Sequence, residues 1–308
     1  MKYGVVLPQF GKFASQDAIR RMAQGAEALG WDSVWFTDHI VVPNDLTGRL
    51  SETFYELFAT MGYVAGCTSR VKLGTTVVVL PYRHPLLTAK QVATLDNLSG
   101  GRIILGVAFG WNRDEYEMLG VPFAKRGQRA DECLAAMKEC WTAEHPRFEG
   151  EFYRFSDFAF SPKPLQRPHP PIWIGGNDHR SLQRAVDFGD GWHPISGPRL
   201  RFSIPVFRSR IDELKRLAEA KGRDPGELAI SLHTTLAFDT ALEMEGDPFT
   251  LIGSTDEITR NVETCRGLGV SHLILSCWYG IPSLLESGTV DSFLRTLERF
   301  DREVRPRL

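Results

Sequence analysis

The segment from Val71 to Trp111, VKLGTTVVVLPYRHPLLTAKQVATLDNLSGGRIILGVAFGW, constrains the fold more than any other part of the chain. It reads as a β-branched run, a polar turn, an amphipathic stretch, a tight glycine turn and a second apolar run. Strand, helix and strand in that order make a parallel pair, because a crossover must carry the chain back to the start of the sheet. The first strand opens at its carboxyl end into Pro81-Tyr82-Arg83-His84-Pro85, and the second closes on Gly110-Trp111. That edge is where α/β sheets hold ligand groups, so the unit points to an enzyme barrel.

The same alternation runs the length of the chain. Expected strands, each followed by an expected helix, are Tyr3 to Pro8 with Gln16 to Leu29, Ser33 to Thr37 with Thr53 to Cys67, Val71 to Leu80 with Leu86 to Leu98, and Ile103 to Val107 with Gln128 to Thr142. The second half gives Ile172 to Gly175 with Ser181 to Phe188, Gly191 to Ile195 with Val206 to Lys221, Leu228 to Ala237 with Asp256 to Leu268, and Val270 to Ser276 with Val290 to Arg302. Eight β-then-α repeats predict an α/β fold, a (β/α)8 TIM barrel, as one domain over residues 1–308. Gly30, Gly101 and Gly269 punctuate helix ends. Residues 147–171, with a hairpin about Glu149-Gly150-Glu151, and 238–253 read as insertions, because strands of one sheet continue on both sides.

A net charge of -2 with a pI near 6.5 leaves no electrostatic footprint for nucleic acid or an anionic membrane. The amino-terminal run MKYGVVLPQFG is a poor secretory signal and no eighteen apolar residues run uninterrupted, so the expected location is cytoplasmic. Five cysteines without a C-x-x-C spacing argue against a disulfide framework or a thiolate metal site. Cys133 and Cys140 fall on one face of an expected helix as core thiols. There is no H-E-x-x-H, G-x-S-x-G or P-loop, and no metal is expected.

Four places carry candidate chemistry. Asp38-His39 follows the second strand and sets a carboxylate and an imidazole at the barrel rim, where histidine serves as proton donor or acceptor near neutral pH. Small residues at Gly106, Ala108 and Gly110 either let a flat ring lie against the backbone or relieve crowding inside the barrel. Gly175-Gly176-Asn177 precedes a helix and suits a phosphate, with an ordinary glycine turn as the alternative. Arg199, Arg201, Arg208 and Arg210 either extend such a site or form a solvated basic face.

The ordered set DHIVVP, LGTTVVVLPYRHP, AKQVATLDNLSGGRIILGVAFGWNRDEYEMLG, PFAKRGQRADE, FEGEFY, PKPLQRPHPPIWIGG and GDGW resembles the luciferase-like flavin and deazaflavin oxidoreductases. Within them the chain is most similar to the branch described as probable coenzyme F-420-dependent oxidoreductases. The resemblance implies a bacterial-luciferase-like barrel that binds a reduced flavin or deazaflavin at its carboxyl rim, with His39 as the active-site histidine. It implies a bulge in the third strand at Thr76-Val77, often with a non-prolyl cis peptide, and cofactor contacts at Thr76, Val77, Ala108, Gly110, Gly175, Gly176, Ser196 and Gly197. Ala108 stands where a glycine is often found. Trp111 replaces the catalytic glutamate, and Pro198 the phosphate-binding lysine, of the superfamily's sugar-phosphate dehydrogenases. The expected activity is hydride transfer between coenzyme F-420 and a small organic substrate, with His39 moving the proton, Asp38 tuning it, and Tyr82, Trp111 and Glu115 shaping the substrate pocket. An FMN-dependent, oxygen-using monooxygenase is the first alternative, and a non-catalytic flavin-binding barrel the second. The resemblance also implies a homodimer. Substrate selectivity is expected in the loops Asn44 to Glu52 and Phe238 to Gly253.

Overall fold

The structure is a computed structural model that describes residues 1–47, 51–242, 244, 247–277 and 280–308. Eight parallel strand positions close on themselves. They are β1 (Lys2–Val6), β2 (Ser33–Phe36), β3 (Lys72–Thr75) continued by β4 (Val78–Val79), β5 (Ile103–Ala108), β8 (Ile172–Gly175), β9 (Gly191–His193), β10 (Ala229–Phe238) and β12 (His272–Cys277). Pairing runs β12-β1-β2-β3-β5-β8-β9 and returns through β9 to β10 and β10 to β12. This is the (β/α)8 barrel that the alternation predicts, with helices such as Gln16–Ala28, Pro85–Leu98 and Val290–Glu303 on the outside.

The third barrel strand departs from regularity where the resemblance implies. Gly74 pairs with Ile104 and Val78 with Val107, so four steps along β3 and β4 match three along β5. One residue is extra, which defines a bulge, and the Thr76-Val77 peptide within it is cis. Gly106 makes the bulge possible, because a Cβ there would lie 2.0 Å from the Thr75 carbonyl oxygen. The same approach lets the Thr75 hydroxyl donate to the Gly106 carbonyl at 2.7 Å.

The lumen is filled by rings. Val6, Trp35, Ile104, Trp173 and Ile274 form a cluster apart from the main core, and Trp35 stacks on both Trp173 and His193 with centroids 5.4 and 5.3 Å away. Gly4 and Gly74 flank the Trp35 indole, and a Cβ on either would sit 2.4 Å from it.

Between β5 and β8 the predicted hairpin forms from β6 (Phe148–Glu149) and β7 (Arg154–Phe155). The Glu132 carboxylate accepts from the amides of Glu151, Phe152 and Tyr153 and closes its turn. In the second expected insertion, β11 (Leu251–Gly253) pairs with the carboxyl end of β10. Parts of both expected selectivity loops, residues 48–50, 243, 245 and 246, lie outside the described residues. The helix expected from Thr53 begins only at Leu57, capped by Glu56. Residues 53–55 are drawn out instead: Phe54 bridges Phe10, and the Tyr55 amide donates to the Gln9 carbonyl.

All five cysteines are free thiols. Cys133 and Cys140 face the core as expected, and burial pushes their thiols up to about 12 and about 11. Among the described residues no helix is long and apolar enough to cross a membrane, and no histidine, cysteine and carboxylate group is arranged to hold a metal.

Candidate active site at the barrel mouth

The parallel pairing brings the carboxyl ends of β2, β4, β5 and β8 to one rim, and the residues that follow them carry the site. After β2 the chain is clamped by buried Gln9. Its amide nitrogen donates to the carbonyls of Thr37 and Tyr55, and its amide oxygen accepts from the Thr37 N–H. Asp38 and His39 then diverge, as successive side chains of an extended segment must.

His39 pairs with Glu115 across the mouth, its Nδ1 lying 3.0 Å from Oε2. Glu115 is fully buried at the start of the short helix Arg113–Met118, whose first amides are capped by the Asn112 side chain. Its other oxygen accepts from the backbone N–H of Ile40 at 2.7 Å and of Val41 at 3.3 Å, and the Tyr82 hydroxyl donates to Oε2 at 3.0 Å. Burial pushes the Glu115 carboxyl up, but the hydrogen bond and charge of His39, with the Ile40 amide and Tyr82 hydroxyl, outweigh it and hold the group below the usual carboxylate range. Burial and the neighbouring Glu115 charge push the Tyr82 phenol up, so it stays a donor. An ionised carboxylate only accepts, so Nδ1 of His39 carries the proton, and Nε2 is the nitrogen left to exchange one with a ligand. Phe54 presses edge-on against the imidazole at 5.2 Å.

The hydrogen bonds of Asp38 go to groups other than His39. Its two oxygens take the Arg83 guanidinium in a fork at 2.7 and 2.9 Å, and the Val79 N–H donates to it at 2.9 Å. The pair is buried and fastens the loop after β4 to the end of β2. Arg83 also reaches Glu56 at 2.9 Å. Although burial works against its charge, the hydrogen bonds and charges of Asp38 and Glu56 raise Arg83 above the ordinary guanidinium value.

The other expected site residues divide. Val77, Ala108 and Gly175 converge: a Cβ on Gly175 would meet Val77 Cγ1 at 2.9 Å and the Ala108 Cβ at 3.5 Å. Gly110, at φ +65°, turns the chain beside Val79, Tyr116 and Tyr82. Gly176 gives its carbonyl to the Trp192 indole N–H. Thr76 turns its hydroxyl into the lumen, between His193 and His233. The Ser196 hydroxyl donates to the carbonyls of Phe202 and Phe249, and Gly197 accepts from the Leu200 N–H, so both hold the loop after β9 together. Trp111 stands 60% exposed on the rim, whereas Tyr82 and Glu115 are buried, with Glu115 hydrogen-bonded to both His39 and Tyr82. The helix His179–Phe188, a candidate phosphate end, is capped by the Asp178 carboxylate, which takes the Ser181 N–H at 2.8 Å. Arg210 is paired with Glu213.

Two buried polar atoms near the mouth lack a partner among the described residues. Beside its small residues, Thr37 Oγ1 and Asn112 Nδ2 are buried there without a hydrogen-bond partner, and such atoms are uncommon unless a ligand or water completes them. At the opposite end of the barrel a recess of about 730 Å³ opens between Lys2, Lys215 and His272, and none of the expected site residues lines it.

These elements make a closed parallel TIM barrel with an imidazole–carboxylate pair at its carboxyl rim and a bulged third strand. Residues 1–245 match the luciferase-like monooxygenase family, and the chain belongs to it. It is thus an oxidoreductase of the class whose members depend on a flavin or on coenzyme F-420. It is 32% identical over 213 residues to the FMNH(2)-dependent dimethylsulfone monooxygenase of Pseudomonas putida, a match spanning 67% of this chain and 54% of that one. Solved structures with the same fold include monooxygenase RslO1 from Streptomyces bottropensis, with TM-score 0.81, 21% identity and coverage of 100% of this chain and 99% of the other. Another is an F-420-dependent secondary alcohol dehydrogenase in complex with an F-420-acetone adduct, with TM-score 0.77, 18% identity and coverage of 99% and 98%.

Sequence reasoning missed His193 and His233. The signal lay in the alternation of Ser231, His233 and Thr235 along one face of β10, polar where a barrel interior is ordinarily apolar.

Proposed function

We propose that the protein carries out hydride transfer between coenzyme F-420 and a small organic substrate at the barrel mouth, with His39 as the group that moves the accompanying proton. The observation that carries this reading is the His39–Glu115 pair, a rim imidazole whose tautomer is fixed by a buried, ionised carboxylate. Val77, Ala108, Gly110, Gly175 and Gly176 are the residues that would hold the ring, and Thr37 and Asn112 offer polar atoms to it. When bound, the reduced deazaflavin supplies the hydride. His39 takes up or gives the proton at Nε2, Glu115 holds Nδ1–H in place, and Tyr82 keeps Glu115 from turning. Trp111, exposed on the rim, is the side chain we assign to the substrate pocket.

A second reading uses reduced FMN and oxygen, and the similarity to the FMNH(2)-dependent monooxygenase favours it. The two separate on oxygen consumption, which the first does not require. In either case His39→Ala is expected to lower turnover by about 10²-fold or more with little change in cofactor affinity, as for other general acid-base groups. Unchanged turnover would remove His39 from the chemistry.

A further inference from the structure

Behind the mouth, five polar side chains from four separate parts of the barrel form one chain of hydrogen bonds across the lumen. Ser276 Oγ on β12 lies 2.6 Å from His233 Nε2 on β10, and His233 Nδ1 lies 3.0 Å from Thr76 Oγ1 in the bulge. Thr76 Oγ1 is in turn 2.9 Å from His193 Nε2 on β9, whose Nδ1 is 2.7 Å from Ser231 Oγ on β10. Ser231 donates to the Trp192 carbonyl at 3.1 Å. Both imidazoles are 2% exposed, and burial drives His193 down to about 3 and His233 down to about 4, so both are neutral.

The terminal carbonyl sets the direction of every bond. A carbonyl only accepts, so where the Ser231 hydroxyl gives its one hydrogen to Trp192, Ser231 accepts from His193 Nδ1–H. A neutral imidazole has one N–H, which leaves His193 Nε2 bare to accept from the Thr76 hydroxyl. With its hydrogen committed, Thr76 accepts from His233 Nδ1–H, and His233 Nε2 accepts from Ser276. In the sheet β3 and β4 are separated from β9 by β5 and β8, so this chain is a strut through the lumen rather than a contact between neighbouring strands.

We propose that Ser276, His233, Thr76, His193 and Ser231 form a single one-way hydrogen-bonded strut whose proton order is set by the Trp192 carbonyl, and that these positioning residues hold the Thr76-Val77 bulge facing the barrel mouth. The link from the bulge to a cofactor rests on the function proposed above. The strut itself does not.

The test is nitrogen-15 NMR of histidine-labelled apoprotein, which reads the tautomer of each imidazole. Both His193 and His233 are expected as the Nδ1–H form. In Ser231→Ala the acceptor that orders the chain is gone, and His233, three hydrogen bonds away, is expected to switch to Nε2–H. An Nε2–H form at His193 in the wild type, or an unchanged His233 in Ser231→Ala, would overturn the proposal. Should Ser231→Ala fail to fold, Thr76→Val cuts the chain at its centre with little change of shape: His193 is then expected to keep Nδ1–H while His233 changes form, and no change at His233 would count against the strut. A separate titration compares Thr76→Ser with Thr76→Val. The serine variant is expected to bind the cofactor like wild type and the valine variant about tenfold more weakly, the worth of one hydrogen bond. Equal affinity in the two variants would refute the positioning role, whereas wild type binding neither F-420 nor FMN would refute the cofactor assignment and leave the tautomer result standing.

Discussion

Replacing Glu115 by glutamine puts the central pair under the most informative strain. The carboxylate accepts four hydrogen bonds, two at Oε1 from the Ile40 and Val41 amides and two at Oε2 from His39 and Tyr82. Backbone amides only donate, so the single oxygen of the glutamine must stay with them, and its NH₂ takes the place of Oε2. Two donors then face a donor. Tyr82 relieves its clash by rotating its hydroxyl hydrogen, but His39 can accept at Nδ1 only by moving its proton to Nε2. In the neutral imidazole the nitrogen that serves the ligand then changes from bare to protonated. Each charge-assisted hydrogen bond is worth about 1.5–3 kcal/mol, and since neutral ones replace part of them we expect a net stability loss of about 2 kcal/mol. Turnover should fall by roughly 10² to 10⁴, the span of a misplaced general acid-base group, while cofactor affinity stays near wild type. Single-turnover kinetics, fluorescence titration and the His39 nitrogen-15 shifts read these separately. Unchanged turnover with His39 still protonated at Nδ1 would refute the argument.

Three further outcomes follow from other parts of the structure. Gly106→Ala places a Cβ 2.0 Å from a backbone carbonyl that cannot move without opening the bulge, and should lower stability in urea by about 3 kcal/mol. Asp38→Asn breaks the buried fork with Arg83 and should cost about 3 kcal/mol in the same assay, since it leaves a guanidinium short of charge. Acid sensitivity should come from His193, His233 and His272, whose folded values near 3, near 4 and near 4 lie below an unfolded value of 6.5. The unfolded chain binds their protons first, so stability is full above about pH 6.5 and falls as pH drops towards 4. Between pH 7 and pH 5 the fully buried His193 and His233 should together remove about 4 kcal/mol, read as a falling urea midpoint, and removing both should make that slope shallower, with the remainder left to His272.

The barrel was legible in the sequence because its eight units repeat a short apolar run followed by a longer helical segment, several of them punctuated by a glycine such as Gly30, Gly101 or Gly269. The hairpin at Phe148 to Phe155 was legible for the same local reason. The site was legible only in part. His39 could be placed at the rim from its position after a strand, but its neighbour Asp38 was a misleading partner, since adjacent extended residues face apart. The true partner, Glu115, lies 76 positions away on a separate helix, and only the closing of the barrel brings the two together. The bulge at Thr76 was legible through resemblance alone, because TTVVV looks like an uninterrupted strand and the extra residue shows only against the register of β5. The stacked Trp35, Trp173 and His193 rings escaped notice because single aromatic residues in three distant strands carry no shared pattern.

The most direct test of the account is a fluorescence titration of the purified apoprotein with coenzyme F-420 and with FMN, each oxidised and reduced, at wild type and at His39→Ala. The account predicts saturable binding of the deazaflavin in preference to FMN, with the variant binding as tightly as wild type. Preference for reduced FMN would transfer the site to oxygen-dependent chemistry, and binding of neither cofactor would contradict the claim that this barrel mouth is built to hold one.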